Sequence, residues 1–408
     1  NNPRATFPAV ALAWKISEES FFKIPHVYQM KLRMSWGENG NRDIGAYAAL
    51  AQLKSVPYFN GTNSSVGIVS STLANSELKW ERTSSYNIGM DLGLFDNRID
   101  LTADFYVMNT LDLLMARQLP EITGFKSIMT NLGELQNKGV DLTLNTVNID
   151  NKNFKWTSNF VYSANRNKIV KLFGNYETVE INGQTVQREL PDYTNNLFPG
   201  HAIDQIWNYK VLGVWQQDEA EEAARYRLLP GDWKTEDVDN NGKLEALHDK
   251  QFVGYKEPRY RLGFRNNFTF MENFNLSIFF RADLGHKAAF SDALRANGAD
   301  TGEKRNSFDL PYWTVENPIN DYSRLTPNTS VYGGGLNIYK SRSFLRLQDV
   351  SFSYTVPKVF TDRFKLNNLE VYYSGHNLLC FTKWPGWDPE SLTTPMPRSH
   401  TFGLRLSL

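Results

Sequence analysis

Apolar residues recur at every second position through much of this chain, and that period restricts what it can become. Tyr86, Ile88, Met90, Leu92 and Leu94 alternate with Asn87, Gly89, Asp91 and Gly93, so an extended segment carries one apolar face and one small or polar face. After Asp96-Asn97 the pattern restarts with Ile99, Leu101, Ala103, Phe105 and Val107, the spacing of a hairpin with a very short connection. It returns at Val140, Leu142 and Leu144 and, past a turn near Asp150-Asn151-Lys152, at Phe154, Trp156, Phe160 and Tyr162. Tyr260, Leu262, Phe264, Phe268 and Phe270 lead to a turn at Glu272-Asn273. Phe274, Leu276, Ile278, Phe280 and Ala282 come back with Arg281 and Asp283 on the other face. Val350, Phe352, Tyr354 and Val356, then Leu369, Val371 and Tyr373, then Phe402, Leu404, Leu406 and Leu408 complete the series. With weaker segments near 7–16 and 27–36, the period-2 rule predicts about eleven strands.

The connections sort into two kinds that alternate along the chain. Those at 96–97, 150–152 and 272–273 are tight, and those at 37–78, 168–257 and 288–339 are long. An antiparallel sheet with all its short turns at one end and all its long loops at the other has this order. It is the order of a transmembrane β-barrel with short periplasmic turns and long extracellular loops, and a soluble sandwich lacks the asymmetry. A mean hydropathy of −0.46 is compatible with that, because alternating strands average out. No apolar run approaches the roughly 18 residues of a transmembrane helix. Asn1-Asn2-Pro3-Arg4 has neither the basic nor the apolar region of a signal peptide. Counted back from a last strand that ends on the periplasmic side, the first strand also runs toward the periplasm. A complete bacterial barrel has an even strand number, so the N-terminal strands are expected to be supplied elsewhere.

Lys plus Arg and Asp plus Glu both number 44, so net charge gives no case for nucleic acid. The single cysteine, Cys380, excludes an intrachain disulfide and reads as a packing residue in an aromatic strand. His376 is near it in sequence only. No catalytic constellation stands out: the six histidines are scattered, and no phosphate-binding glycine loop or zinc spacing appears. The expectation is a protein that is not an enzyme and requires no cofactor.

The best site motif is Asp237-Val238-Asp239-Asn240-Asn241-Gly242-Lys243-Leu244-Glu245, which reads like the first nine positions of an EF-hand loop. Oxygen ligands at alternate positions converge on a hard cation where glycine permits the sharp turn. Asp237, Asp239, Asn241, Lys243, Glu245 and Asp249 are therefore the candidate Ca²⁺ ligands. His248 stands where the bidentate glutamate belongs, and Asp249 comes one residue late. The bland alternative is a solvated loop in which Asp and Asn satisfy their own backbone. Trp207, Tyr209, Trp215, Trp233, Tyr312, Trp313, Trp384 and Trp387 crowd the long loops. As a group they suit a vestibule that holds a solute, with Trp207, Trp215, Trp233, Trp313, Trp384 and Trp387 as candidate binding residues. Girdle or loop-core packing is the competing role of each. Ala289–Ala296 reads as a short loop helix. Asn60-Gly61-Thr62 matches a glycosylation sequon that a bacterial barrel would not use.

Several stretches resemble the SusC/RagA-like TonB-dependent transporters of the Bacteroidota outer membrane. The most specific is Asn131-Leu132-Gly133-Glu134-Leu135-Gln136-Asn137-Lys138-Gly139-Val140-Asp141-Leu142, similar to that family's block leading into a barrel strand. Phe7–Trp14 with Ser17-Glu18-Glu19, Lys31–Gly37 with Gly40-Asn41, Tyr312–Pro318, Ser343–Leu347, Asn377-Leu378-Leu379 and Gly386–Glu390 also match, in order. Gly231-Asp232 belongs with the 237–249 loop in that likeness. Leu408 departs from the family's terminal Phe. The resemblance implies a 22-stranded barrel with an N-terminal plug, of which this chain is the C-terminal half. It implies TonB-dependent import of glycans or peptides across the outer membrane. It also implies a SusD-like surface lipoprotein, TonB-ExbB-ExbD acting through the region before residue 1, and a dimer of transporter–lipoprotein pairs. A soluble all-β carbohydrate-binding protein and a passive porin are the alternatives. The soluble reading requires the stripe of Tyr86, Ile88 and Met90 to face a protein core, whereas a porin would share the outward stripe and lack the plug.

Overall fold

The computed structural model describes residues 5–43, 49–125, 127–181, 184–294 and 308–407. Leu408 and the end of the 289–296 segment lie outside them. Eleven strands form one antiparallel sheet in chain order. They are β1 (Ala9–Lys15), β2 (Val27–Asn41), β3 (Glu81–Leu94), β4 (Ile99–Leu111), β5 (Glu134–Asn151) and β6 (Phe154–Lys171). There follow β7 (Tyr260–Phe270), β8 (Phe274–Leu284), β9 (Phe344–Thr355), β10 (Asn368–Thr382) and β11 (Ser399–Ser407). Each pairs with the next in sequence, as short-turn connectivity requires. The alternation of connections holds. The longest are 42–80, 172–259 and 285–343: the first two start later than expected because β2 and β6 run further than their apolar stretches, and the third is wider than expected because β8 ends at Leu284 and β9 begins at Phe344. The segments 112–133 and 383–398 take the remaining places at the long-loop end.

The chain divides into two compact units. The first comprises Asn1–Leu144 and Ser163–Ile203. Here β3 and β4 pair without a register break from Leu94↔Ile99 to Arg82↔Leu111. Their turn is left-handed at Phe95, Asp96 and Asn97, a region Asp and Asn enter cheaply. Met34, Ile88 and Phe105 stand opposite one another across β2, β3 and β4 and are 53%, 54% and 59% exposed. Tyr86 is exposed beside them. On the other face Arg33 spans Asp91 and Asp104 with N–O distances of 2.9–3.1 Å. A Cβ on Gly89 would lie 2.6 Å from both the Arg33 guanidinium and an Asp104 carboxylate oxygen. Glycine on the polar face thus lets the ion pair cross the strand. The stripes are not a sandwich core: in water they would be a large uncovered apolar patch, and in hydrocarbon they are the favoured outer face.

The second unit comprises Asn145–Tyr162 and Asp204–Leu408. Strands β7 and β8 pair in full register from Tyr260↔Leu284 to Phe270↔Phe274. Their turn begins one residue earlier than the sequence indicates, with left-handed Met271 and Glu272. Trp156 Nε1 and Ser158 Oγ both donate to Asn266 Oδ1, at 2.9 and 2.7 Å. Strand β9 is bulged: Phe279 pairs with Asp349 and Phe280 with Leu347, so Gln348 is extra. The apolar row therefore changes parity, from Leu345 and Leu347 to Val350, Phe352 and Tyr354. Asn377, left-handed at φ 54°, sits in the matching irregularity of β10, which explains the Asn of Asn377-Leu378-Leu379. The predicted 289–296 helix is instead a 3-10 turn, Ser291–Ala293, after a short strand, Lys287–Ala289.

Candidate functional site

The long loops of the second unit fold on a core of their own. Two small ladders, Gln205–Tyr209 with Lys250–Tyr255 and Val211–Val214 with Trp233–Thr235, frame it. Helix α1 (Ala220–Arg225) closes one side by burying Ala223. Tyr209, Trp215, Trp233, Trp313 and Trp384 are buried in one hydrophobic cluster with Phe290, Tyr332 and Leu336. Packing accounts for these rings, since a loop of nearly ninety residues needs an apolar centre to hold shape. Polar edges are met locally: Trp313 Nε1 donates to Gln216 Oε1 at 3.0 Å and Tyr332 Oη to the Trp233 carbonyl at 2.8 Å. Burial pushes the Tyr332 hydroxyl far above the usual phenol range.

Asp232 is the hub of this core and is fully buried. It accepts from Arg324 Nε, Asn328 N and Leu229 N, each at 2.8 Å. Gly231 beside it has φ +89°, and a Cβ there would meet Trp313 at 2.5 Å. Gly231-Asp232 therefore serves loop architecture, joining segments about 95 residues apart that no local pattern connects.

Among the other rings, Trp207 donates Nε1 to the Lys250 carbonyl at 3.0 Å and carries the Lys250 ammonium over its face at 5.3 Å. Tyr312 and Trp387 are exposed, Trp387 by 60%. Trp387 borders a cavity of about 540 Å³ whose walls include Phe290, Phe308, Trp384, Asp292 and Asp309.

The structure brings together three of the six candidate metal ligands. Carboxylate oxygens of Asp237, Asp239 and Asp249 lie within 4.8 Å of one another. Gly242 at φ +78° makes the turn the motif demands, and its N–H donates to Asp237 Oδ2 at 2.9 Å. Asp249 is fully buried and accepts from Val238 N and Glu245 N at 2.9 and 2.6 Å, so the residue that came one position late ties the loop ends. Asn241 turns inward on the loop, accepting from Lys243 N at 2.8 Å and donating to Asp239 at 2.9 Å. Glu245 and Lys243 are exposed or nearly so and stand outside the carboxylate cluster. His248 Nδ1 lies 2.9 Å from Asp239 Oδ2. That hydrogen bond raises the imidazole pKa and lowers that of the Asp239 carboxyl. One Asp237 oxygen is buried with no protein partner.

A feature the sequence reading missed stands beside Trp387. Arg346, 2% exposed, lies 3.0 and 2.8 Å from the two Asp388 carboxylate oxygens and 3.1 Å from Glu390. Arg281 bridges Asp283 at 2.8 Å and Glu390 at 2.9 Å. Arg342 donates to the Pro389 and Glu390 carbonyls at 2.7 and 3.2 Å. Three arginines thus clamp Asp388-Pro389-Glu390 to the strands. The only signal in sequence was the likeness of Gly386–Glu390 and Ser343–Leu347 to one family, without a role. Cys380 lies opposite Arg346, whereas His376 is held by Asp349 at 2.6 Å. The two form no dyad in the hydrogen-bond geometry.

An antiparallel sheet with exposed apolar stripes, ion-paired polar faces and structured loops gathered at one end defines the wall of an outer-membrane β-barrel. The profile of the family "TonB dependent receptor-like, beta-barrel" matches residues 1–378, and the chain belongs to that family. It is accordingly an outer-membrane protein of a receptor and transporter family. It is 34% identical over 402 residues to TonB-dependent receptor P3 of Formosa agariphila, covering 96% of this chain and 39% of that one. It is 30% identical to TonB-dependent receptor SusC of Bacteroides thetaiotaomicron, covering 100% and 40%. The RagAB peptide importer in its open-open state has the same fold, with TM-score 0.75 at 24% identity over 100% of this chain and 43% of that one. The chain thus spans about two fifths of the length of these relatives.

Proposed function

We propose that this chain forms the C-terminal part of the barrel of an active importer that moves oligomeric nutrients, glycans or peptides, across the outer membrane. The family membership carries the reading, and the segregated faces support it: apolar residues outward, ion-paired polar residues along the path a hydrated solute would follow. In this reading the solute is captured between the outer loops and a SusD-like surface lipoprotein. TonB-ExbB-ExbD, pulling on a plug encoded outside this chain, opens the path. The working unit is a dimer of transporter–lipoprotein pairs. Uptake of labelled oligosaccharides and peptides by a deletion strain carrying the restored gene tests it. Uptake must disappear when TonB is removed, and uptake that persists without TonB would make the protein a passive porin.

We also propose that the 237–249 loop holds one hard divalent cation, Ca²⁺, on Asp237, Asp239 and Asp249. The support is their convergence at a glycine turn together with the partnerless Asp237 oxygen. Its role is to stiffen the loop, and no transport step passes through it.

A further inference from the structure

We infer that the short-turn rim of the second unit carries a docking surface for anionic phospholipid, a contact with the periplasmic leaflet that lies outside the import path. The connection between β9 and β10 is longer than the other short turns of this unit. After Pro357 the chain makes a one-turn helix, α2 (Lys358–Thr361), runs on into a 3-10 turn, Asp362–Phe364, and stops at Lys365 with φ 56°. Thr361 is 2% exposed and its carbonyl accepts from Leu366 N at 3.1 Å, so this residue seats the helix against the rim. The two residues before it are left uncovered: Val359 is 71% and Phe360 54% exposed. Met271 in the adjoining turn is 69% exposed. An uncovered apolar ridge edged by charge marks a surface that meets a membrane or a partner.

An aromatic belt fixes the depth of this ridge. Phe154 meets Phe270 with centroids 4.9 Å apart, Phe274 meets Tyr354 at 4.5 Å, and Phe270 pairs with Phe274 across β7 and β8. All four rings belong to the outward rows and stand at or next to the short-turn ends of their strands. Belts of this kind sit at the level of the lipid headgroups. The turns beyond the belt are tied together. Met271 N donates to the Asn153 carbonyl at 2.8 Å, and Asn273 and Thr355 exchange two hydrogen bonds, at 2.8 and 2.9 Å. Helix α2 follows closely on Tyr354, so Val359 and Phe360 continue the lipid-facing stripe where the headgroups begin.

Charge selects the lipid. Lys358, Arg363 and Lys365 are exposed around the apolar pair, and none of them forms an ion pair with a described residue. Basic residues on the strands behave differently: Arg33 is held by Asp91 and Asp104, and Arg405 by Glu370. Asp362 is the one acidic residue between Pro357 and Asn367, so three basic groups against one acidic group leave the segment net positive. In the neighbouring turns Lys155 is paired with Asp150, and Lys152 and Glu272 offset each other. Phospholipid phosphate matches this arrangement. Its oxygens accept from the guanidinium and ammonium groups, while the acyl chains cover Val359 and Phe360. A zwitterionic headgroup carries its own compensating ammonium, so anionic headgroups such as phosphatidylglycerol and cardiolipin are favoured. A soluble periplasmic protein is the competing occupant, and continuity with the lipid-facing stripe favours the membrane.

The test uses the full-length protein, delipidated in a nonionic detergent and titrated with phosphatidylglycerol, cardiolipin or phosphatidylcholine under native mass spectrometry. The two anionic lipids are expected to bind more tightly than phosphatidylcholine. Each basic residue should contribute about fivefold, so Lys358→Gln, Arg363→Gln and Lys365→Gln together should weaken phosphatidylglycerol binding about a hundredfold and leave phosphatidylcholine binding unchanged. Val359→Ser with Phe360→Ser should weaken both about tenfold. Lys54→Gln, an exposed lysine in the 42–80 loop, should change neither. Heat-modifiable migration checks that each variant is folded. Four results overturn the assignment. They are equal binding of phosphatidylglycerol and phosphatidylcholine, unchanged phosphatidylglycerol binding in the triple variant, and displacement of the lipid by an equal concentration of inorganic phosphate, which would make this a free-anion site. The fourth is unchanged binding in the Val359→Ser, Phe360→Ser variant, which would leave the apolar pair to a protein partner.

Discussion

Substituting Asp388 by Asn probes the arginine clamp directly. The side chain keeps its shape and its acceptor for the Glu390 N–H, which it holds at 2.9 Å, but loses the charge that faces Arg346. Arg346 is buried, one of its nitrogens, Nε, already lacks a partner, and the Asp388 side chain is only 7% exposed. Removing one member of a buried pair leaves an uncompensated charge and typically costs about 3–5 kcal/mol. Glu390 remains 3.1 Å from Arg346 but is shared with Arg281, so the lower end, about 3 kcal/mol, applies. Opening of the 384–392 segment should then become roughly a hundredfold more frequent, read as lost amide protection by hydrogen exchange in the intact protein. The exposed pair Lys15–Glu18, 2.8 Å long, provides the contrast: Glu18→Gln should change protection near residue 16 hardly at all. Pairing Asp388→Asn with Arg346→Met should restore part of the loss, because the stranded guanidinium leaves with it. If Asp388→Asn leaves protection unchanged, or if the double variant opens more easily than the single, the clamp is not an electrostatic device.

Three further outcomes are expected. Calorimetry of the intact protein should show Ca²⁺ uptake that Asp239→Ala abolishes; because the cation and protonated His248 compete for Asp239, affinity should rise as pH increases through the elevated His248 pKa, and no heat at any pH would remove the site. His286 is buried, and burial first, then Arg342, holds its pKa down at about 4. A histidine depressed in the folded state stabilises above its unfolded pKa, so loop stability should fall by up to about 3 kcal/mol between pH 6.5 and 4, and His286→Phe should flatten that dependence in a proteolysis-against-pH series. Ile88→Arg should destabilise folding into bilayers by about 2–4 kcal/mol near the midplane, while Asn87→Arg on the opposite face should be far milder; equal effects would contradict the assignment of faces.

Sequence alone settled what is periodic and local. A strand exposes alternate residues to opposite sides, so the row from Tyr86 to Leu94 and its return from Ile99 to Val107 are readable without a structure. The same holds for the eleven strands and the alternation of turns with loops. Gly242 and the acidic spacing around it were legible for the same reason: the turn and its ligands are neighbours in the chain. The tertiary structure decided everything that depends on distant partners. The bulge at Gln348 reverses which residues of β9 face outward, because the neighbouring strands, not β9 itself, set the register. Loop tryptophans look alike in sequence, yet Trp215 and Trp233 disappear into a core while Trp387 stays in water, according to what other loops bring to them. The meeting of Arg346 with Asp388, 42 residues away, has no local signature at all. Alternation is imposed by the backbone, residue by residue; burial and ion pairing are imposed by the fold, and a side chain cannot announce them before its partners arrive.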